Sequence, residues 1–281
     1  MTMTFSVSDS RNTVTAPDSI DAVEYYMHSS RDSEIEGFHI LKEKLRIPDT
    51  RGLIDRPRIN ALLRKSIDQF PATLISGRAG TGKTALAASF AGDRQNISWY
   101  SVESTDIEWR AFSRYFSESL SKNVYGKANR SVLGLHDKKG SQDDIARFLV
   151  NRFSPAYAGP SAGSSMIVLD DIHHIFDAAW FGDFFNFLLY SLPPETHLLL
   201  LCRSKPPGPL WRLRSKQMLN VIDEKVIAFD TAETQALFEK LGLPASSAQE
   251  AQRSCFGRIS KLLQFAEDLD SALSPSQFLY S

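Results

Sequence analysis

The polar and apolar positions of this chain alternate between short, wholly apolar runs and longer stretches with helical spacing. Three runs read as strands buried on both faces: Ala72-Thr73-Leu74-Ile75-Ser76, Met166-Ile167-Val168-Leu169 and His197-Leu198-Leu199-Leu200-Leu201-Cys202. Ile97–Val102 reads as a further strand, and Val226-Ile227-Ala228-Phe229 as a last one. Between them lie helical patterns. Pro57 suits a first turn and is followed by the stripe Ile59, Leu62, Leu63, Ile67. Asp106 is placed to cap a helix over 107–121 that carries Trp109, Phe112, Phe116 and Leu120 on one face. Further helices are expected over 143–153, 180–189 and 210–215. Thr231 is expected to cap another, which ends at Gly242-Leu243-Pro244, before two short ones over 246–254 and 258–269. Strands alternating with helices predict an α/β fold with a mainly parallel five-stranded sheet.

The ends of the strands carry the chemistry. Gly77-Arg78-Ala79-Gly80-Thr81-Gly82-Lys83-Thr84 fits G-x-x-x-x-G-K-[ST] without mismatch, between a predicted strand and a predicted helix that opens at Ala85. Such a loop turns backbone N–H groups inward around an anion, and the following helix adds the positive end of its dipole. Lys83 would reach the β- and γ-phosphates of a nucleotide, and the Thr84 hydroxyl would take a Mg²⁺ position. Met166–Leu169 ends in Asp170 and Asp171. An acid at the carboxyl edge of a parallel sheet can hold Mg²⁺ opposite Thr84, so Asp170 is the metal candidate and Asp171 the group to orient or deprotonate water. Arg203 follows the run 197–202, where its planar fork could sense a γ-phosphate. The adjacent His173 and His174 read as surface or packing residues, because neighbouring side chains point apart.

Composition narrows the setting. The 281 residues suffice for one large domain with an appendage. Net charge is −1, so no global field draws the chain to nucleic acid or an anionic membrane. Cys202 and Cys255 cannot form a disulfide framework or a four-cysteine zinc site. No apolar run reaches the roughly 18 residues of a membrane span. Met1–Ser10 lacks a secretory start, and the cytoplasm is the expected compartment. Residues 1–19, rich in Ser, Thr and Asp, are expected to be a disordered leader. Residues 20–50 read as a helical extension over 20–46, with Val23, Tyr26 and Met27 on one face and Phe38, Leu41 and Leu45 on another. Residues 122–141 read as a surface excursion, and Ser154–Ser165 as a loop rich in Pro, Gly, Ala and Ser.

Taken together, the pieces resemble the STAND class of signal-transduction P-loop NTPases, and within it the ATPase module of maltose-regulon-activator-type (LuxR-type) bacterial regulators. The resemblance covers about residues 50–265 and rests on ordered short matches. These are Leu53-Ile54-Asp55-Arg56-Pro57-Arg58, the glycine loop, Ser98–Val102, Val168–His173, Leu200–Pro207 with Leu210 and Arg212-Leu213-Arg214, and Thr231-Ala232-Glu233 into Leu237-Phe238. It implies an ATP/ADP switch at residues 51–230 with a helical lid at 231–281, and an adenine-side role for Ile54, Arg56 and Pro57. Where those proteins usually carry Gly-x-Pro in the lid, Gly257-Arg258-Ile259-Ser260 has the glycine alone. No sensor repeat or DNA-binding element is evident, so output is expected through a protein partner or self-assembly, not direct DNA contact. Two other readings remain: a ring-forming helper of the AAA+ or transposition type with Arg212 or Arg214 acting in trans, and an interaction module without useful hydrolysis that docks through 180–189 or 20–46. Nothing resembles the acceptor site of a small-molecule kinase or the signature motif of transporter ATPases.

Overall fold

Leu198 and Leu200 pack into one apolar layer while Leu199 and Leu201 pack into another. That is why this run shows no alternation: both faces of its sheet are covered. The computed structural model describes residues 40–92, 96–123, 141–153 and 164–273. The chain divides into Met1–His39 and Ile40–Ser281, and all described residues lie in the second unit. The expected leader, most of the 20–46 helix, all but the ends of the 122–141 excursion and nearly all of 154–165 fall outside the described residues.

Helix α1, Pro57–Gln69, leads into β1, Ala72–Ser76. After the glycine loop come α2, Lys83–Gly92, and β2, Asn96–Ser101. A 3₁₀ turn at Ser104–Ile107 precedes α3, Trp109–Asn123, and α4 spans Gln142–Phe153. Then follow β3, Ser165–Asp170, α5, Phe181–Ser191, β4, Thr196–Cys202, and α6, Gly208–Ser215. The last strand, β5, is Leu219–Asp223, and a one-turn helix, α7, is Glu224–Ile227. Helices α8, Thr231–Lys240, α9, Ala245–Cys255, and α10, Ile259–Leu273, complete the described chain.

Among the described residues five strands form one sheet in the order β2-β3-β4-β1-β5, every pair parallel. One face is covered by α3 to α6 through an aromatic layer in which Trp109, Phe112, Phe116 and Phe184 interlock with ring centroids 4.9 to 6.3 Å apart. The other is covered by α1 and α2 through Ile59, Leu63, Leu86 and Phe90. A third core, with Phe238 and Leu262 at its centre, holds α8, α9 and α10 together as a separate helical cap. At the buried lower end of the sheet a chain of polar side chains links four residues. The Thr73 hydroxyl meets Ser66 Oγ at 2.6 Å and His197 Nε2 at 2.9 Å, and Asn220 Nδ2 donates to Ser66 Oγ.

Several local expectations need correction. The final strand is β5, not 226–229. The Asp223 carboxylate accepts the Lys225 and Val226 N–H groups and turns Glu224–Ile227 into a helix instead. Asp106 does not cap α3: it is buried in the 3₁₀ turn, where it receives the Lys44 ammonium and the Glu103 N–H. Asp230, not Thr231, caps α8, through a reciprocal box with Glu233. Of the expected 20–46 helix, the described part holds only the 3₁₀ turn Lys42–Leu45. Leu62 stays partly exposed, so the buried stripe of α1 is Ile59, Leu63 and Ser66. His173 and His174 do not point apart; their ring centroids lie 4.2 Å from each other.

Two ion-pair clusters fix segments that flank the sheet. Lys44, 5% exposed, bonds both oxygens of Asp106 at 2.8 and 2.9 Å and lies over the Tyr115 ring. Burial alone would lower its pKa, but the bonds to Asp106 and Glu103 outweigh that and raise it. Truncating Lys44 to Ala is expected to cost about 3 kcal/mol, because it strands a buried carboxylate; a urea titration showing less than about 1 kcal/mol would remove this brace from the account. In the second cluster Arg56 and Arg58 both reach Glu233 Oε2, at 2.8 and 3.0 Å, and the Arg56 guanidinium carbon lies over the Phe229 ring, 4.1 Å from its centroid. This ties the segment before α1 to the cap. Burial would raise the pKa of Glu233, yet the hydrogen bonds from Arg56, the Asp230 N–H and Arg58 hold it below 4.5. A depressed carboxyl pKa contributes stability that is present above the unfolded value and is lost as pH falls through the folded one. Glu233→Gln is therefore expected to cost about 2 kcal/mol at pH 7. That difference should close as pH drops below 4.5, and a gap independent of pH would contradict it.

Candidate functional site

The glycine loop hangs from β1 and keeps its register. Gly77 N–H donates to Cys202 O at 3.1 Å, one rung past the β1–β4 ladder. Gly80 and Gly82 have φ of +75° and +84°, a conformation that a side chain would strain, and they turn the chain back into α2. Lys83 is buried, and its ammonium donates to Gly77 O at 2.6 Å and Arg78 O at 3.0 Å. Burial lowers its pKa, partly offset by the charge of Asp171. Thr81 Oγ1 donates to Arg78 O, which closes the loop on itself.

Across β4 from the loop, Thr84 Oγ1 donates to Asp170 Oδ2 at 2.8 Å. Asp170 is only 4% exposed, and burial, with the neighbouring charge of Asp171, pushes its pKa up to about 6. Its other oxygen, Oδ1, is buried without a hydrogen-bond partner among the described residues. A hydroxyl and a carboxylate with a free oxygen are hard donors of the kind Mg²⁺ takes, so Thr84 and Asp170 fit such an ion.

Asp171 adopts a left-handed backbone, φ 54°, which Asp tolerates better than most residues. Its carboxylate is clasped by Arg203: Nη2 to Oδ2 at 2.6 Å and Nε to Oδ1 at 3.0 Å. His173 Nδ1 lies 3.7 Å from the same group; burial first, then the charge of His174, lowers the pKa of His173. The structure thus brings Lys83, Thr84, Asp170, Asp171 and Arg203 to one edge, with Arg203 engaged by Asp171. Among the described residues no group of three His, Cys, Asp or Glu side chains has a metal-holding arrangement, and Thr84 with Asp170 is a two-residue pair.

On the other side of α2 lies a cavity of about 160 Å³ between the loop, the segment before α1 and the cap. Ile54, Ala85, Leu86, Phe229 and Ile259 line it, and Arg56 and Asn60 contribute its polar rim. Ile54 and Arg56, two of the three residues for which the resemblance implies an adenine-side role, thus line this cavity together with Ala85. Arg56 also donates to Ile227 O and Glu233, whereas Pro57 opens α1 and is not among the lining residues.

Some contacts had no sequence signal. Glu224 accepts the Arg78 backbone N–H at 3.0 Å and pairs with its guanidinium, whose hydrogen bonds hold the Glu224 carboxyl below its usual range. From the cap, Ser260 N–H donates to Gly80 O at 3.1 Å and Arg258 donates to Ala79 O, so both outward carbonyls at the crest of the loop are gripped. The Gly257–Ser260 stretch was flagged only through the family resemblance. Glu224 lies in a stretch that reads as ordinary surface.

No family model matches the chain. It is 30% identical over 189 residues to the HTH-type transcriptional regulator MalT of Vibrio cholerae, and 28% identical over 190 residues to that of Vibrio campbellii. Each match covers 66% of this chain and 20% of the regulator, so the chain corresponds to about a fifth of those proteins. A Walker-type ATPase of Pyrococcus abyssi superposes with a TM-score of 0.53 at 16% identity, covering 80% of this chain and 71% of that one. Among the described residues no helix is long and apolar enough to cross a membrane. Across 66% of its length the chain is homologous to part of the MalT regulators, and its fold is that of a P-loop NTPase.

Proposed function

We propose that this chain binds ATP and ADP and acts as a nucleotide switch, hydrolysing ATP slowly with Mg²⁺ and signalling through a protein partner. The observation that carries the reading is the Thr84–Asp170 bond, which sets a metal-type hydroxyl and a buried, half-free carboxylate beside the loop that holds Lys83. Inward loop amides and the N-terminus of α2 would receive the phosphates, and the apolar cavity beside Ile54 and Ala85 the base. Mg²⁺, when bound at Thr84 and Asp170, would neutralise charge on the β- and γ-phosphate oxygens.

Lys83 now spends its hydrogen bonds on two loop carbonyls, which preorganises it next to the anion site. The Asp171–Arg203 clasp supports the switch. While Arg203 holds both oxygens of Asp171, that carboxylate cannot orient water and that arginine cannot serve a phosphate. A γ-phosphate competes for Arg203 and frees Asp171; ADP does not. Attack of a water oxygen on the γ-phosphorus from that side, with cleavage of its bond to the bridging oxygen that leaves with ADP, would give ADP, phosphate and a proton. Slow turnover follows from a base that is ion-paired at rest.

A second reading, assembly of copies with an arginine donated in trans, draws on the exposed Arg212 and Arg214 of α6, the latter stacked 4.9 Å from the Trp211 ring. Light scattering with ATP and with ADP separates it from the monomeric switch.

Lys83→Ala should weaken both nucleotides by at least about 100-fold, the scale of losing two charge-assisted bonds. Arg203→Ala should keep ADP affinity within about threefold while turnover falls at least roughly tenfold. Fluorescent-nucleotide titration and phosphate release measure these, and equal loss of ADP binding in Arg203→Ala would contradict its assignment as γ-phosphate sensor.

A further inference from the structure

The outer wall of the glycine loop, away from the cavity beside Ile54, borders a second hollow of about 300 Å³ between Arg78, α7 and the turn that joins α9 to α10. Its lining sets four cations, Arg78, Lys225, Arg258 and Lys261, against one carboxylate, Glu224. Glu224 is spent on Arg78, so three positive charges have no carboxylate oxygen within ion-pair distance among the described residues. Two of them, Lys225 and Lys261, are exposed at the mouth. Arg258 is different. One of its terminal nitrogens holds Ala79 O, while its Nε is buried with no acceptor among the described residues, an arrangement that costs free energy until an acceptor arrives.

The rim of this hollow carries Phe256, which is 82% exposed. It sits in the left-handed region, φ 51°, a conformation unfavourable for a bulky residue. The next residue explains why the turn is kept. Gly257, φ 70°, passes so close beneath the Phe229 carbonyl that a Cβ there would collide with it, and the chain must reverse at 256 to enter α10. The aromatic ring is thereby held out beside the cations, where it gains nothing from its own fold.

We propose that this hollow is a docking site for an acidic peptide segment of a partner protein. Carboxylates would pair with Lys225, Lys261 and the free edge of Arg258, and an apolar side chain would cover Phe256. The combination of cations with a presented aromatic selects a peptide over a small anion. Because Arg258 also holds the crest of the glycine loop, such a partner would touch the wall of the phosphate site without entering it.

The test uses the full chain without nucleotide, so its result is independent of the ATP reading. A fluorescein-labelled peptide of alternating Glu and Leu is titrated by anisotropy, with sodium tripolyphosphate and an alternating Lys and Leu peptide as comparisons. The Glu-Leu peptide is expected to bind and the Lys-Leu peptide not. Lys225→Glu with Lys261→Glu, both at exposed positions, should weaken binding at least roughly tenfold. Phe256→Asn, which suits a left-handed turn, should weaken it severalfold while the melting temperature stays level or rises. The proposal is overturned if the Glu-Leu peptide fails to bind, if the charge reversals leave binding unchanged, or if tripolyphosphate displaces the peptide and Phe256→Asn has no effect. That last outcome would mark a simple anion site.

Discussion

Strand β1 is hydrogen-bonded on both sides, to β4 and to β5, and its ladder with β4 continues into the loop through the Gly77–Cys202 rung. The rest of the site depends on that clamp. It fixes where the glycine loop leaves the sheet, and therefore where Lys83 and Thr84 enter α2. Because β4 separates β1 from β3, the same register sets the reach from Thr84 to Asp170. Apolar strands covered on both faces leave polar chemistry nowhere to collect except at their carboxyl edge.

At that edge most charges are answered by a neighbour. Lys83 is held by carbonyls, Asp171 by Arg203, Arg78 by Glu224 and Arg56 by Glu233. Among the buried polar atoms that lack a hydrogen-bond partner within the described residues are Asp170 Oδ1 and Arg258 Nε. Buried polar atoms without partners are expensive, so a ligand that satisfied either of these two would be favoured. One faces the metal-type pair with Thr84; the other lies at the cationic hollow behind the loop. The cap joins the two sides, since its residues line the apolar cavity and also grip the loop crest.

How much of this could be read from the residues alone follows from the range of the forces involved. The buried strands, the loop and Asp170 were legible because each depends on a local pattern: uninterrupted apolar runs, glycines at fixed spacing, an acid at a strand end. Arg203 was legible as a position but not as a partner of Asp171, which requires knowing that β3 and β4 are neighbours. The sequence pattern points to the wrong last strand because Val226-Ile227 looks more strand-like than Leu219–Asp223, whose Asn220 side chain donates to Ser66 from α1. Asp106 reads as a cap because no local signal reveals that Lys44 claims it from 62 residues away. The ion pairs of Glu224 and Glu233 are illegible for the same reason. Their partners Arg78 and Arg56 lie far back in the sequence, and the resemblance to a family supplies motifs, not ion pairs.

The central claim is that Gly77–Thr84 with Asp170 is one wall of an adenine-nucleotide switch. Its most direct test is to purify the full chain, denature it, and identify the released small molecules by anion-exchange chromatography beside the Lys83→Ala variant. ADP in near-equal amount to protein for the wild type, and none for the variant, is the result this account predicts. Wild-type protein that carries no nucleotide and binds neither ADP nor ATP when each is added would contradict it.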